Sequence, residues 1–131
     1  MEANRTLQQE RAILVGIALP TMPAWEAEHS LDELGRLAAT AGLVEAERQI
    51  QRRDRIDPAH YVGKGKAAAL KQLAAQCQAD VIVFDNDLSP AQMRNLERIT
   101  KRRIIDRSAV ILDIFARHAR THTAQLQVEL A

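Results

Sequence analysis

Residues 81–92 read VIVFDNDLSPAQ: an unbroken apolar run, an acidic and amide turn, and then the start of a helix. Val81-Ile82-Val83-Phe84 does not alternate, so the run predicts a strand covered on both faces, as strands are in a parallel sheet. Ser89-Pro90-x-Gln92 predicts a helix start, because the serine and glutamine side chains each satisfy a free group of the first turn. Pro90 then stands where a missing N–H is no loss. Met93, Leu96 and Ile99 give that helix one apolar stripe.

The same alternation extends in both directions. Downstream, Ile104-Ile105-Asp106 predicts a short strand, and Ser108 predicts a cap for a helix from Ala109 to about Ala119. Val110, Ile111, Leu112, Ile114 and Phe115 make that helix apolar on most sides, which predicts packing on more than one face. Upstream, Leu70, Leu73, Ala74 and Cys77 recur at helical spacing behind Gly63-Lys64-Gly65-Lys66, with an apolar pair, Tyr61-Val62, and a loop at Asp54–Pro58 before them. Arg11–Ala18 (RAILVGIA) predicts a first buried strand. Ser30 with Glu33 predicts a capping box, Leu31, Leu34, Ala38 and Ala41 one helical face, and Gly42 a left-handed stop. Leu43–Gln51 predicts a second strand whose charges suit an edge. The sum is an α/β fold: a small, mostly parallel sheet of about four strands with helices on both faces, ending in the start of a further helix.

Composition agrees with a packed domain. The chain has 131 residues, 47% hydrophobic and 27% charged, with only 5 glycines and 4 prolines, which excludes a disordered or linker-like sequence. No apolar run reaches the ~18–20 residues needed to span a bilayer. The lone Cys77 offers no internal disulfide, and no leader pattern precedes the first strand, so a cytoplasmic location is expected. Residues 1–121 are expected to form the domain, and 122–131, where the chain stops in mid-element, the start of a longer helical segment.

The net charge of +1 conceals an asymmetry: residues 1–47 hold three basic against eight acidic side chains, and 48–131 fifteen against nine. Lys64, Lys66, Arg94, Arg98, Arg102, Arg103, Arg117 and Arg120 are therefore the candidates for phosphate contacts with RNA. A second candidate set is nucleotide-binding: Gly63, Gly65 and Lys66 at a helix start, with Asp85 and Asp87 at the end of a strand. Against it, the glycines lack the GxxxxGK[ST] spacing, and turn chemistry accounts for the acidic residues. No catalytic triad or metal-ligand pattern is present; His118 and His122 stand four apart without acidic or cysteine companions.

Four stretches, LDELGRLAATAG at 31–42, YVGKGKAAALK at 61–71, VIVFDNDLSPAQMRNLE at 81–97 and IIDRSAVILDIFARHARTHTAQLQVELA at 104–131, together resemble the N-terminal domain of the HflX family of ribosome-associated GTPases. Residues 1–30 resemble it only through the first strand, and His118 stands where the family usually has arginine. The resemblance implies a parent protein that continues into a helical hairpin and a G domain using GTP and Mg²⁺. It also implies binding to the large ribosomal subunit and its RNA, in splitting or rescuing ribosomes under stress. ATP binding outside the G domain, implied for some members, would give YVGKGK a use. On this reading the chain itself is a binding module without catalytic residues or a cofactor of its own.

Overall fold

The computed structural model describes the backbone of residues 7–130 and the side chains of 7–119. Strands β1 (Arg11–Ala18), β2 (Val44–Arg52), β3 (Val81–Phe84) and β4 (Arg103–Asp106) alternate with helices α1 (Ala24–Thr40), α2 (Lys64–Cys77), α3 (Pro90–Thr100) and α4 (Arg107–Leu130). The sheet order is β2-β1-β3-β4 and all three pairings are parallel. The fold is therefore α/β, with β2 at an edge as its charges predict.

Strand periodicity divides the core in two. In β1, Ile13, Val15 and Ile17 face one side with Leu70 and Ala74 of α2 and Leu96 of α3. Ala12 and Leu14 face the other, with Leu31, Leu34 and Ala38 of α1 and Val110 of α4. β3 divides likewise, Ile82 and Phe84 against Val81 and Val83. Each central strand thus buries both faces, which is why neither run alternates.

Local signals hold where a single motif decides. Ser89 and Gln92 form the reciprocal capping box, with Pro90 at the first turn. Gly42 takes φ +90°, its N–H donating to Ala39 O and that of Leu43 to Ala38 O, the paired bonds of a Schellman stop. Two expected caps are corrected. α1 begins at Ala24, behind Pro23, so Ser30 lies inside the helix and caps nothing. α4 begins at Arg107, two residues before the expected start, and its first turn is held by Asp106, whose Oδ1 accepts from Ala109 N–H at 3.0 Å. Ser108 instead donates to Asp87 Oδ1 at 2.6 Å.

The expected packing of the last helix on several faces is also corrected. Val110 is buried and Ile114 partly so, but Leu112 and Phe115 are each 66% exposed. α4 runs unbroken past residue 121, while the contacts of 122–131 lie outside the described residues. No helix among the described residues is long and apolar enough to cross a membrane.

Candidate nucleic-acid interface and the Gly63–Lys66 turn

The candidate basic residues fall on more than one surface. α2 carries Lys64, Lys66 and Lys71 and no acidic residue, and α3 carries Arg94 and Arg98 against Glu97. Both helices cover the same face of the sheet, and Lys64, Lys71, Arg94, Arg98 and Lys101 are exposed. By contrast α1, on the opposite face, holds Glu26, Glu28, Asp32 and Glu33 against Arg36. The charge asymmetry along the chain becomes an asymmetry between layers.

Lys71 and Lys101 belong to this basic layer but not to the candidate list. Their spacing was the available signal: Lys71 stands two turns after Lys64, and Arg94, Arg98 and Lys101 follow one helical edge. Arg102 and Arg103 lie at the amino end of β4. Arg102 is partly committed, donating from Nε to Ala79 O (2.8 Å) and from Nη1 to Lys101 O (3.1 Å), and Arg103 stands 4.0 Å from Glu10. Arg117 belongs to the other layer, where it pairs with Asp113 at 3.2 Å and donates to Thr40 O of α1. Arg120 has its side chain outside the described residues.

The glycine-lysine turn is built by the loop before it. Asp57 closes that loop: its Oδ1 accepts from the N–H groups of Ala59 (2.8 Å) and His60 (2.7 Å), and its backbone exchanges two bonds with Tyr61. The bond from His60 N–H, more than any other cause, holds the Asp57 carboxyl below the usual range. Arg53 donates to Arg55 O and Val62 O, each at 2.9 Å. Gly63 follows at φ +92°, where a β-carbon would collide with the Arg53 guanidinium. Gly65, by contrast, faces open space within the first turn of α2. Lys66 Nζ donates to Gln49 Oε1 of β2 at 2.8 Å.

The acidic members of the nucleotide set are engaged elsewhere. Asp85 is buried and accepts at Oδ1 from Nε and Nη2 of Arg107 at 3.0 and 2.7 Å. The same guanidinium donates to Ser30 O (2.8 Å) and Ser30 Oγ (3.1 Å) on α1. Asp87 accepts from Ser108. Tyr61 is buried against Phe84, edge to face, and its hydroxyl has no hydrogen-bond partner; burial first, then the nearby Asp85 and Asp87, push its pKa up. Within the fold, then, Gly63 serves the turn, Lys66 is bonded to β2, Asp85 to Arg107 and Asp87 to Ser108. Among the described residues no group of three His, Cys, Asp or Glu side chains is placed to hold a metal ion.

Residues 28–116 match the family model described as GTP-binding GTPase N-terminal. The chain is 47% identical over 123 residues to the GTPase HflX of Lacrimispora saccharolytica, covering 94% of this chain and 29% of that protein. It is 43% identical over 122 residues to the GTPase HflX of Escherichia coli, covering 93% and 28%. Among solved structures, the SsGBP variant G235P superposes with a TM-score of 0.65 at 20% identity, over 93% of this chain and 37% of that one, a likeness of fold. The chain thus spans about three-tenths of the length of these curated relatives. On the family model and these identities together, the chain belongs to the HflX family of GTPases, where it matches the N-terminal domain.

Proposed function

We propose that the outer surface of α2 and α3 docks this domain on ribosomal RNA of the large subunit, as the cytoplasmic N-terminal module of an HflX-type GTPase that splits or rescues ribosomes under stress. The observation carrying this is the layer of exposed Lys64, Lys71, Arg94, Arg98 and Lys101, with Glu97 its only acidic residue within the two helices. Such a surface meets a phosphate backbone by charge and releases counterions on binding. GTP and Mg²⁺ belong, on this reading, to the G domain of the whole protein.

The test is a salt titration of binding to isolated large subunits. Affinity falls steeply as ionic strength rises, and replacing Lys64, Lys71 and Arg94 together by glutamate flattens the log–log slope by about 2–3 units, at ~0.7–0.9 per lost phosphate contact. Glutamate at Arg117, on the other layer, leaves the slope in place. A flat salt dependence, or equal losses from both variants, refutes the surface.

A second reading rests on Leu112 and Phe115. This pair offers an apolar face on which the family's helical hairpin and G domain can dock, giving the domain a regulatory contact with the GTPase as well.

A further inference from the structure

The order β2-β1-β3-β4 means that the chain leaves β1 over one face of the sheet, through α1, and returns to β3 over the other, through α2. The carboxyl ends of β1 and β3 therefore flank the topological switch point, where open α/β sheets leave a crevice for ligands. A cavity of 390 Å³ lies there, lined by Ile17 near the end of β1 and Leu19 just after it, Asp85 and Asn86 after β3, and one side of α1. Trp25 and Ile56 line it at 63% and 38% exposed, although few other large apolar side chains among the described residues stand in solvent. The indole is braced by an edge contact with His29, ring centroids 5.9 Å apart.

The lining is anionic. Glu26, Glu33 and Asp85 contribute carboxylates, and neither lysine nor arginine is among the lining residues. Arg107 reaches Asp85 from outside and stands 3.8 Å from Glu33, so it neutralises part of this charge and leaves Glu26 unmatched by it. The same wall already holds one planar guanidinium of the fold, that of Arg107, by a carboxylate and by the carbonyl of Ser30.

We propose that this cavity receives an arginine side chain from a protein partner. The guanidinium stacks on Trp25 and pairs with Glu26, and the aliphatic stem lies against Ile56 and Met22. Arginine suits the site better than lysine because a flat, weakly hydrated cation stacks on an indole while keeping its in-plane donors for carboxylates.

Trp25 is the only tryptophan of the chain, so its fluorescence reports the cavity directly. Titration with acetyl-glycyl-arginyl-glycine amide produces a saturable change, while the citrulline peptide, neutral and nearly isosteric, binds at least about tenfold more weakly. Glu26→Gln weakens the arginine peptide about fivefold, whereas Gln76→Ala on the opposite layer changes nothing. Trp25→Phe, followed by peptide-observed NMR, retains weaker binding. Equal binding of citrulline, no saturable response, or a response to free spermidine matching that to the arginine peptide overturns the assignment, the last by placing a polyamine there instead.

Discussion

Arg107 is a residue on which several elements converge. From the first position of α4 it binds the buried carboxylate at the end of β3 and the carbonyl and hydroxyl of Ser30 within α1, tying together three elements distant in sequence. Arg107→Ala leaves Asp85 buried without its counter-charge and is expected to cost about 2–3 kcal/mol, less than a fully buried pair because the arginine is partly exposed. Denaturant melts measure it, and the double variant with Asp85→Asn costs less than the sum of the two, since the orphaned charge is gone. Additive losses show that the pair is not coupled. The sequence displays Asp106-Arg107 beside a strand end but not the identity of the acceptor. It also presents Ser30-x-x-Glu33 as a cap, because the pattern for a helix start is local, whereas the partner that occupies Ser30 lies 77 positions away. Ser89-x-x-Gln92 looks the same in sequence and is a true cap; Pro90 behind it is the difference, and for α1 the corresponding signal was Pro23.

At the scale of elements, the strands and most of the helices were readable because burial imposes its own period on the sequence, and β1 covers the expected Arg11–Ala18. The loop into α2 was only partly readable, since its order comes from side-chain bonds to backbone rather than from burial. Gly63-Lys64-Gly65-Lys66 presents two equivalent glycines, and the fold makes them unequal. Gly63→Ala meets both a positive φ and the Arg53 guanidinium and is expected to cost more than about 1 kcal/mol. Gly65→Ala, in open space on a helix, is neutral or stabilising by up to ~1 kcal/mol. Thermal melts of both variants decide; equal losses contradict the turn described here. The same loop should respond to acid. Asp57 is held below the ordinary carboxylate value of ~3.9, so its contribution is fully present above that pH and is lost as pH falls through its depressed folded value. Amide exchange at Ala59 and His60 therefore gains protection from Asp57 at neutral pH, and Asp57→Asn removes that difference between neutral and strongly acidic solution. A pH dependence of that protection left unchanged by the substitution rules the Asp57 carboxylate out as its source.

On the scale of the whole molecule, a net charge near zero and a division of charge along the chain become a basic layer of α2 and α3 and an acidic α1 on opposite faces of one sheet. The sequence showed the division but not the geometry, because crossover connections decide which helices share a face. α4 illustrates the opposite failure. Its apolar run, Val110-Ile111-Leu112 with Ile114 and Phe115, reads as a helix covered on several sides, yet α1 and the sheet cover only part of it and leave Leu112 and Phe115 in solvent. An exposed apolar pair is neutral for the isolated domain and favourable wherever another surface removes it from water, at about 1.5–3 kcal/mol for each large side chain fully covered. Replacing both by serine should thus leave the unfolding free energy of this 131-residue chain within about 0.5 kcal/mol, the usual range for surface changes. In a longer HflX-family chain that carries the domain with its hairpin and G domain, the same pair of substitutions should lower the unfolding midpoint or uncouple the domain's melt from that of the GTPase. Paired calorimetric scans of the two proteins make the comparison. Equal and small effects in both show that the face stays in water, and a large loss in the short chain shows that α4 already buries it.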